Sequence, residues 1–176
     1  MLVIIIIIAI IVLLLIFNYR QKHDTIVAYT GGLGSGKSLL SVQTSIKLLK
    51  KNRIKVWFYN NIKRYVYHFF HKKEKLQPKK EKPMLYTSIP ICYRCFLWNK
   101  KEWSIKLEEE HLLLIKKLIP MSVVFIDEIG SFANQFQYKN PNILDNFNEF
   151  IRLFRHYTLG GYLVVNDQCS ENIVLE

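Results

Sequence analysis

The chain has 176 residues, of which 50% are hydrophobic and 22% charged, and this composition excludes a disordered or low-complexity protein. The length suits one compact domain once a short first segment is set aside. The formal net charge of +11 indicates an anionic partner such as nucleotide, nucleic acid or a membrane surface, and three cysteines provide no disulfide framework.

The first segment, Met1–Phe17, has no charged or polar side chain. At about 1.5 Å per residue it approaches the roughly 30 Å thickness of bilayer hydrocarbon. We therefore predict a transmembrane helix over residues 1–19, followed by one domain over residues 24–176. Arg20 and Lys22 follow the apolar run, so the positive-inside rule places that domain in the cytoplasm. The alternative is a buried core helix.

The next segment changes from a strand pattern to a helix pattern. Thr25–Thr30 is β-branched and aromatic, which predicts a buried strand. A helix is predicted to start near Lys37, because apolar residues then recur at helical spacing. Its predicted apolar face consists of Leu39, Val42, Ile46 and Leu49. A strand, a glycine-rich loop and a helix thus follow one another.

The glycine-rich loop fits the phosphate-binding pattern G-x-x-x-x-G-K-[ST], the P-loop. Backbone N–H groups that curl around a phosphate need glycine wherever φ is positive or a Cβ would collide. Lys37 can reach the β and γ phosphates of a nucleotide, and the Ser38 hydroxyl can ligate Mg²⁺. We therefore predict a nucleotide site with Mg²⁺ as its metal. The predicted binding residues are Gly31, Gly32, Leu33, Gly34, Ser35, Gly36, Lys37, Ser38 and Leu39.

A basic insert over residues 63–83 interrupts the α/β pattern with an aromatic cluster and then a lysine run. Between Lys63 and Lys82 there are eight Lys and Arg but only two Glu, a local charge of +6 that is more than half of the total. Such a segment can stack on single-stranded DNA or lie on anionic lipid. It can equally be a solvated loop whose aromatic side chains fold back on the domain, so no site is assigned to it.

Cys92 and Cys95 form a C-x-x-C pair. Neither a second pair nor suitably spaced histidines accompany it, whereas structural zinc needs four such ligands. We interpret the pair as structural or incidental and predict no metal bound by thiolates.

The stretch Ser122–Ile129 supplies carboxylates of the kind that nucleotide hydrolysis needs. Val123–Ile126 predicts a strand through the middle of a parallel sheet, which delivers Asp127 and Glu128 at the carboxyl edge of that sheet. In the Walker B role, Asp127 holds the water shell of Mg²⁺ and Glu128 polarises the attacking water. The alternative is a strand that happens to end in two acids at a surface turn.

A third strand is predicted over Gly161–Asp167 and is followed by Gln168. If this strand lies beside the other two, Gln168 would sit near the γ-phosphate and orient the hydrolytic water. The alternative is a solvated strand end.

The helix before this strand begins at an Asn-Pro pair at residues 140–141 and ends at the glycines at residues 160–161. Arg152, Arg155 and His156 lie near its C-terminal end, where cations suit the helix dipole. One arginine, which we take as Arg155, can instead reach the nucleotide of a neighbouring subunit as an arginine finger. The apolar stripe of the helix comprises Ile143, Phe147, Phe150, Ile151 and Phe154.

With these elements assembled, the sequence resembles the Zot-like (zonula occludens toxin) family of filamentous-phage assembly ATPases. The resemblance spans Thr25–Gln168, and the stretches that carry it are GGLGSGKS, FYNNI, YTSIPI, VVFIDEIG and FRHYTLGGYLVVNDQ. It implies an FtsK/HerA-like P-loop NTPase fold, in which a mostly parallel sheet is flanked by helices. Two features depart from the family pattern: the apolar segment precedes the domain instead of following it, and Asp167 replaces a small polar residue.

The resemblance also implies ATP as the nucleotide, and the sequence has no guanine-reading N-K-x-D motif. We therefore expect a membrane-anchored, oligomeric ATPase at the bacterial inner membrane that drives filamentous phage assembly, with phage DNA or coat and export proteins as partners. One alternative is an FtsK/HerA-type DNA pump for packaging or conjugation. Another is a membrane scaffold that binds nucleotide without hydrolysing it. Because the chain stops soon after Gln168, we expect either a short protein or a fragment.

Overall fold

The computed structural model describes residues 25–32, 34–71, 75–94, 101–113, 117–131 and 143–168. The predicted transmembrane helix over residues 1–19 and the predicted helix start at residues 140–141 lie outside these ranges. Inside them, no helix has both the length and the apolar composition needed to cross a bilayer.

The strands in the described part of the chain are β1 (Ile26–Gly31), β2 (Leu85–Thr87), β3 (Cys92–Arg94), β4 (Lys101–Trp103), β5 (Ile105–Lys106), β6 (Val123–Ile126) and β7 (Tyr162–Gln168). Five of them form an all-parallel sheet in the order β1-β7-β6-β2-β5, and β3 and β4 form a separate antiparallel hairpin. The predicted α/β class with a parallel sheet is therefore confirmed. The last predicted strand does lie beside the other two, because β7 pairs with both β1 and β6. The prediction that Thr25–Thr30 is a buried strand is wrong, because β1 is an edge strand of the sheet and none of its residues is buried.

The main helices are α1 (Lys37–Phe58), α2 (Arg64–Phe70), α3 (Glu109–Leu112) and α4 (Ile143–Thr158). A π-helical turn over Tyr59–Lys63 joins α1 directly to α2. The other long helix, α4, ends before residues 160–161, as predicted, and Gly160 there has a left-handed φ of 98°.

Two hydrophobic clusters cover the two faces of the sheet. Alternate residues of β6 contribute to each: Val123 and Phe125 pack in the cluster with α1, and Val124 and Ile126 pack in the cluster with α4. The predicted stripe of α4 is confirmed where its side chains are described, since Phe147, Phe150 and Phe154 are buried and Ile151 packs against them. The side chain of Ile143 lies outside the described part.

The predicted apolar face of α1 is correct only toward the helix C-terminus. Leu49 is fully buried, and Val42 and Ile46 pack against the same cluster. The assignment of Leu39 to this face is wrong, because its side chain is 64% exposed.

Small polar residues occupy much of the buried face of α1 instead. The Ser41 and Ser45 hydroxyls each donate a hydrogen bond of 2.8 Å to a carbonyl one turn earlier, which lets them be buried without an unpaired donor. Asn52 Nδ2 donates to the carbonyls of Met121 and Gly160 at 2.7 and 3.2 Å. These carbonyls precede β6 and β7, so Asn52 lies at the amino edge of the sheet.

The basic insert is not a loop whose aromatic side chains fold back on the domain. Its described part consists of the end of the π-helical turn, α2 and an extended return segment over residues 75–83. Tyr65, Phe69 and Phe70 are 52%, 67% and 75% exposed, so this interpretation of the insert is wrong.

Candidate nucleotide site

The parallel register brings the predicted site residues to one edge of the sheet. β6 pairs with β7 up to Ile126 and Val165, so Asp127 and Asn166 follow at neighbouring positions. On the other side of β7, Gly31 pairs with Gln168. The carboxyl edge of the sheet therefore carries the start of the glycine-rich loop, the first predicted acid and the predicted glutamine.

The loop after β1 has the backbone conformation that its glycines predict. Gly34 and Gly36 both have a φ of 75°, in the left-handed region where a Cβ is unfavourable. Gly36 is also the N-cap residue of α1, so the loop passes directly into the N-terminus of this helix. Leu33 lies outside the described residues.

The Lys37 ammonium group lies against the loop. Its Nζ donates hydrogen bonds to the Gly31 carbonyl, to the Gly32 carbonyl at 2.6 Å and to Ser35 Oγ at 3.3 Å. The helix N-terminus and this ammonium group together concentrate positive charge at the loop, which suits an anionic ligand.

Three polar side chains from three different elements form a hydrogen-bonded cluster beside the loop. Ser38 Oγ, in the first turn of α1, donates to Asp127 Oδ1 at 3.2 Å. Asn166 Nδ2, on β7, donates to Ser38 Oγ at 2.9 Å and to Asp127 Oδ1 at 2.6 Å. The predicted metal ligands, Ser38 and Asp127, are therefore in direct contact.

Asn166 is the site residue that the sequence analysis missed. It is 2% exposed, and no described group donates to its Oδ1 atom. The orientation of its amide follows from its neighbours, because the Asp127 carboxylate accepts hydrogen bonds and requires the NH₂ group to face it. A polar residue in the apolar run YLVVNDQ was the available signal, since a buried amide needs partners.

Ser88, the residue directly after β2, supports the cluster and was not predicted either. The Asp127 backbone N–H donates to Ser88 Oγ at 2.9 Å, and the Ser88 N–H donates to the Phe125 carbonyl at 3.1 Å. The backbone at Asp127 is thus held by the end of the neighbouring strand as well as by β6 itself.

Glu128 lies next to Asp127 with its side chain exposed and a φ of 51°. A residue other than glycine in this region costs of order 1 kcal/mol, and such conformations cluster at functional sites. On the neighbouring strand, Asp167 Oδ1 lies within 3.7 Å of the position that a Cβ on Gly130 would occupy. The end of β7 and the turn after β6 are therefore close together.

Arg155 is not brought to this edge. It lines an open depression of about 450 Å³ together with Thr25, Lys55 and Gly160. These residues lie where β1 and β7 begin, at the amino edge of the sheet, so Arg155 is on the opposite side of its own domain from the glycine-rich loop.

The residues beside the loop fit a magnesium ion. Mg²⁺ prefers hard oxygen ligands and is usually held by one or two carboxylates together with substrate phosphates and water. The Ser38 hydroxyl and the Asp127 carboxylate provide two such oxygens in contact, and the Asn166 Oδ1 atom has no donor among the described residues. The described residues contain no group of three His, Cys, Asp or Glu that could hold a metal ion.

Comparisons of the chain with protein family models, with curated proteins and with solved structures give no match.

Proposed function

We propose that the protein binds a magnesium–nucleoside triphosphate at the loop over residues 31–38 and hydrolyses it. The observation that carries the proposal is the cluster of Ser38, Asp127 and Asn166, which joins the start of α1 to the ends of two strands beside the loop. If Asp127 ended a strand at an unrelated surface turn, its carboxylate would not be expected to contact the first turn of the helix that follows the loop. The contact thus favours the Walker B interpretation of Asp127.

Each residue of the site then has a distinct role. Lys37 binds the β and γ phosphates, and Ser38 and Asp127 hold Mg²⁺, which neutralises phosphate charge when it is bound. Glu128 accepts a proton from the attacking water, and Gln168 orients that water. The loop residues from Gly31 to Leu39 bind the nucleotide through backbone N–H groups. Arg155 can act only at the site of a neighbouring subunit.

The resemblance to the Zot-like family extends this proposal. It supports an FtsK/HerA-like core, ATP as the nucleotide, a homo-oligomer, and phage assembly or extrusion at the bacterial inner membrane, with a single N-terminal span and the domain in the cytoplasm. Phage DNA and coat or export proteins are the proposed partners. A DNA-translocating pump and a nucleotide-binding scaffold remain the competing functions, and each predicts a different response in the following experiment.

The test is steady-state ATP hydrolysis by the full chain in lipid nanodiscs. Lys37→Ala should lose both binding and hydrolysis, whereas Glu128→Gln should keep Mg²⁺-dependent binding and lose about 100-fold or more in turnover. The matched controls are Lys47→Ala and Glu110→Gln, two exposed positions outside the site, which should behave as wild type.

The outcome also separates the alternatives. Stimulation by single-stranded DNA with directional strand movement would favour the pump, and stimulation by coat or export proteins would favour phage assembly. If the wild-type protein binds nucleotide but shows no turnover under any of these conditions, only the scaffold function remains and the enzymatic proposal is contradicted.

A further inference from the structure

The helical arm over residues 54–71 exposes an apolar face to solvent. Six of its eight exposed large apolar side chains recur at helical spacing through the end of α1, the π-helical turn and α2, and we call these six the apolar stripe. Exposure within the stripe ranges from 39% to 75%. The stripe comprises Trp57, Phe58, Ile62, Val66, Phe69 and Phe70.

The polar face of the same arm is the one that is covered. Tyr59 Oη donates to Gln77 Oε1 at 2.6 Å, and Asn60 exchanges two hydrogen bonds of 2.9 Å with the backbone of Lys80. Arg64 Nε donates to the Gln77 carbonyl. The return segment over residues 75–83 therefore packs on the polar side, which is the reverse of the pattern that water favours for a surface helix.

The arm lies at the amino edge of the sheet, opposite the nucleotide site. Just before the arm, Asn52 bonds to carbonyls that precede β6 and β7, and Arg53 Nε donates to the Pro83 carbonyl, which precedes β2, at 2.9 Å. The arm continues in the chain direction beyond these contacts. Thr25 enters β1 at the same edge, so the apolar segment Met1–Phe17 is joined to the domain on the side of the arm.

The charge around the stripe is strongly positive. From Lys47 to Lys82 the chain has thirteen Lys and Arg but only two Glu, and two of these cations, Arg53 and Lys82, are paired with Glu102. The open depression at the amino edge is lined by Lys55, Arg155 and His156 among others. None of these three side chains makes an ion pair within the described part of the chain. Exposed apolar side chains within a strongly basic segment match the interface of an anionic bilayer.

Other occupants fit less well. Two copies of the arm would bring these like charges together, which opposes self-association. Single-stranded DNA would use the aromatic rings, but Ile62 and Val66 offer no flat surface for base stacking.

We propose that the apolar stripe inserts into the headgroup region of an anionic phospholipid membrane. The amino edge of the sheet then faces the bilayer, and the glycine-rich loop faces away from it. This orientation does not depend on nucleotide hydrolysis, so the two proposals stand or fall separately.

The test uses the full chain with Trp57 as its sole tryptophan, which requires Trp98→Phe and Trp103→Phe. The protein is reconstituted into vesicles whose lipid tails carry bromine, which quenches tryptophan on contact. In vesicles of equal parts phosphatidylglycerol and phosphatidylcholine we expect a loss of about half of the Trp57 emission, because an interfacial helix places its apolar face about 5–10 Å into the headgroup and acyl boundary. Pure phosphatidylcholine should give clearly less quenching.

Two variants and a positional control make the result specific. Phe69→Ser with Phe70→Ser, and separately Lys63→Glu with Lys79→Glu, change exposed side chains and should each reduce the quenching in anionic vesicles. Gln43→Trp in a background without other tryptophans places the probe on the same helix near the loop, where we expect no quenching.

Unquenched Trp57 in both vesicle types would overturn the proposal. Emission that changes only with protein concentration would instead assign the stripe to a second copy, and emission that changes only with an added oligodeoxynucleotide would assign it to nucleic acid. Equal quenching at Trp57 and at the residue 43 probe would contradict the proposed orientation.

Discussion

At the scale of single residues, the Asn166 amide lies between two acceptors that come from different elements. Its NH₂ group donates to Ser38 on α1 and to Asp127 after β6, while Asn166 itself belongs to β7. One buried side chain thus fixes the separation of the two oxygens that we propose as ligands of Mg²⁺. A hydrogen bond to a carboxylate is also stronger than one between neutral groups.

We expect Asn166→Ala to lower the free energy of unfolding by about 1–3 kcal/mol, because Ser38 and Asp127 lose their shared donor. It should also weaken nucleotide binding in the presence of Mg²⁺ more than in the presence of a chelator. Chemical denaturation and titration with a fluorescent nucleotide measure the two effects. Asn148→Ala, at an exposed position of α4, is the matched control and should stay within about 0.5 kcal/mol of wild type. Equal Mg²⁺ dependence in both variants would show that Asn166 does not organise the metal ligands.

At the scale of elements, the strands were more predictable than the helix faces. Thr25–Thr30, Val123–Ile126 and Gly161–Asp167 are short runs rich in β-branched and aromatic residues, which favours strands, and all three lie in the sheet. The face of α1 could not be predicted in the same way. Ser41 and Ser45 satisfy their hydroxyls within the helix, so the buried face does not look apolar in the sequence.

The polar residues of the site illustrate the same limit. Asp127 was predictable because it ends an apolar run, and its loop partner Ser38 belongs to a recognisable motif. Asn166 and Ser88 act through contacts between elements distant in the chain, and no local pattern specifies which strands will be neighbours. The orientation of the arm is likewise set by the return segment. In the sequence, this segment is recognisable only as a lysine-rich stretch, so its packing on the arm could not be predicted.

The hairpin of β3 and β4 is tied to α1 by an ion pair that makes stability depend on pH. Arg53 Nη1 lies 2.7 Å from Glu102 Oε2, Lys82 Nζ lies 2.7 Å from Glu102 Oε1, and Arg53 also donates to Tyr93 Oη at 3.1 Å. Burial raises the pKa of Tyr93 to about 12. At Glu102, burial also favours the neutral form, but the hydrogen bonds and charges of Lys82 and Arg53 outweigh it and hold its pKa below the usual value.

We therefore expect Glu102→Gln to lower the free energy of unfolding by about 2 kcal/mol at pH 7, because Arg53 loses its charged partner while remaining buried. The folded state binds fewer protons at Glu102 than the unfolded state, in which the pKa of a glutamate side chain is about 4.3. The stabilisation is thus present above that pH and is lost as the pH falls through the lower pKa of the folded protein. Chemical denaturation of both proteins between pH 7 and pH 3 should show the difference shrinking. Glu110→Gln, on the exposed side of α3, serves as control, and a constant difference across the range would contradict the assignment.

At the scale of the whole molecule, the two edges of the sheet carry different chemistry. The carboxyl edge has the glycine-rich loop and the Ser38, Asp127 and Asn166 cluster. The amino edge has the exposed arm and a group of cations that includes Arg155. The seven residues of β7 span about 23 Å between these edges. Within one subunit, Arg155 and Lys37 therefore cannot act on the same phosphate.

This separation leads to a test of whether Arg155 acts between subunits. If it serves the nucleotide site of a neighbour, both Arg155→Ala and Lys37→Ala are inactive alone, because every site of either homo-oligomer lacks one required cation. In an equal mixture that exchanges subunits, half of the sites contain Lys37, and half of those have a neighbour with Arg155. We then expect about a quarter of wild-type ATP hydrolysis, since a heterologous interface pairs each site with one neighbour. Arg152→Ala, on the same helix, should be active without mixing. If the mixture is no more active than the mean of its two components, Arg155 serves only the end of α4, where a cation suits the helix dipole.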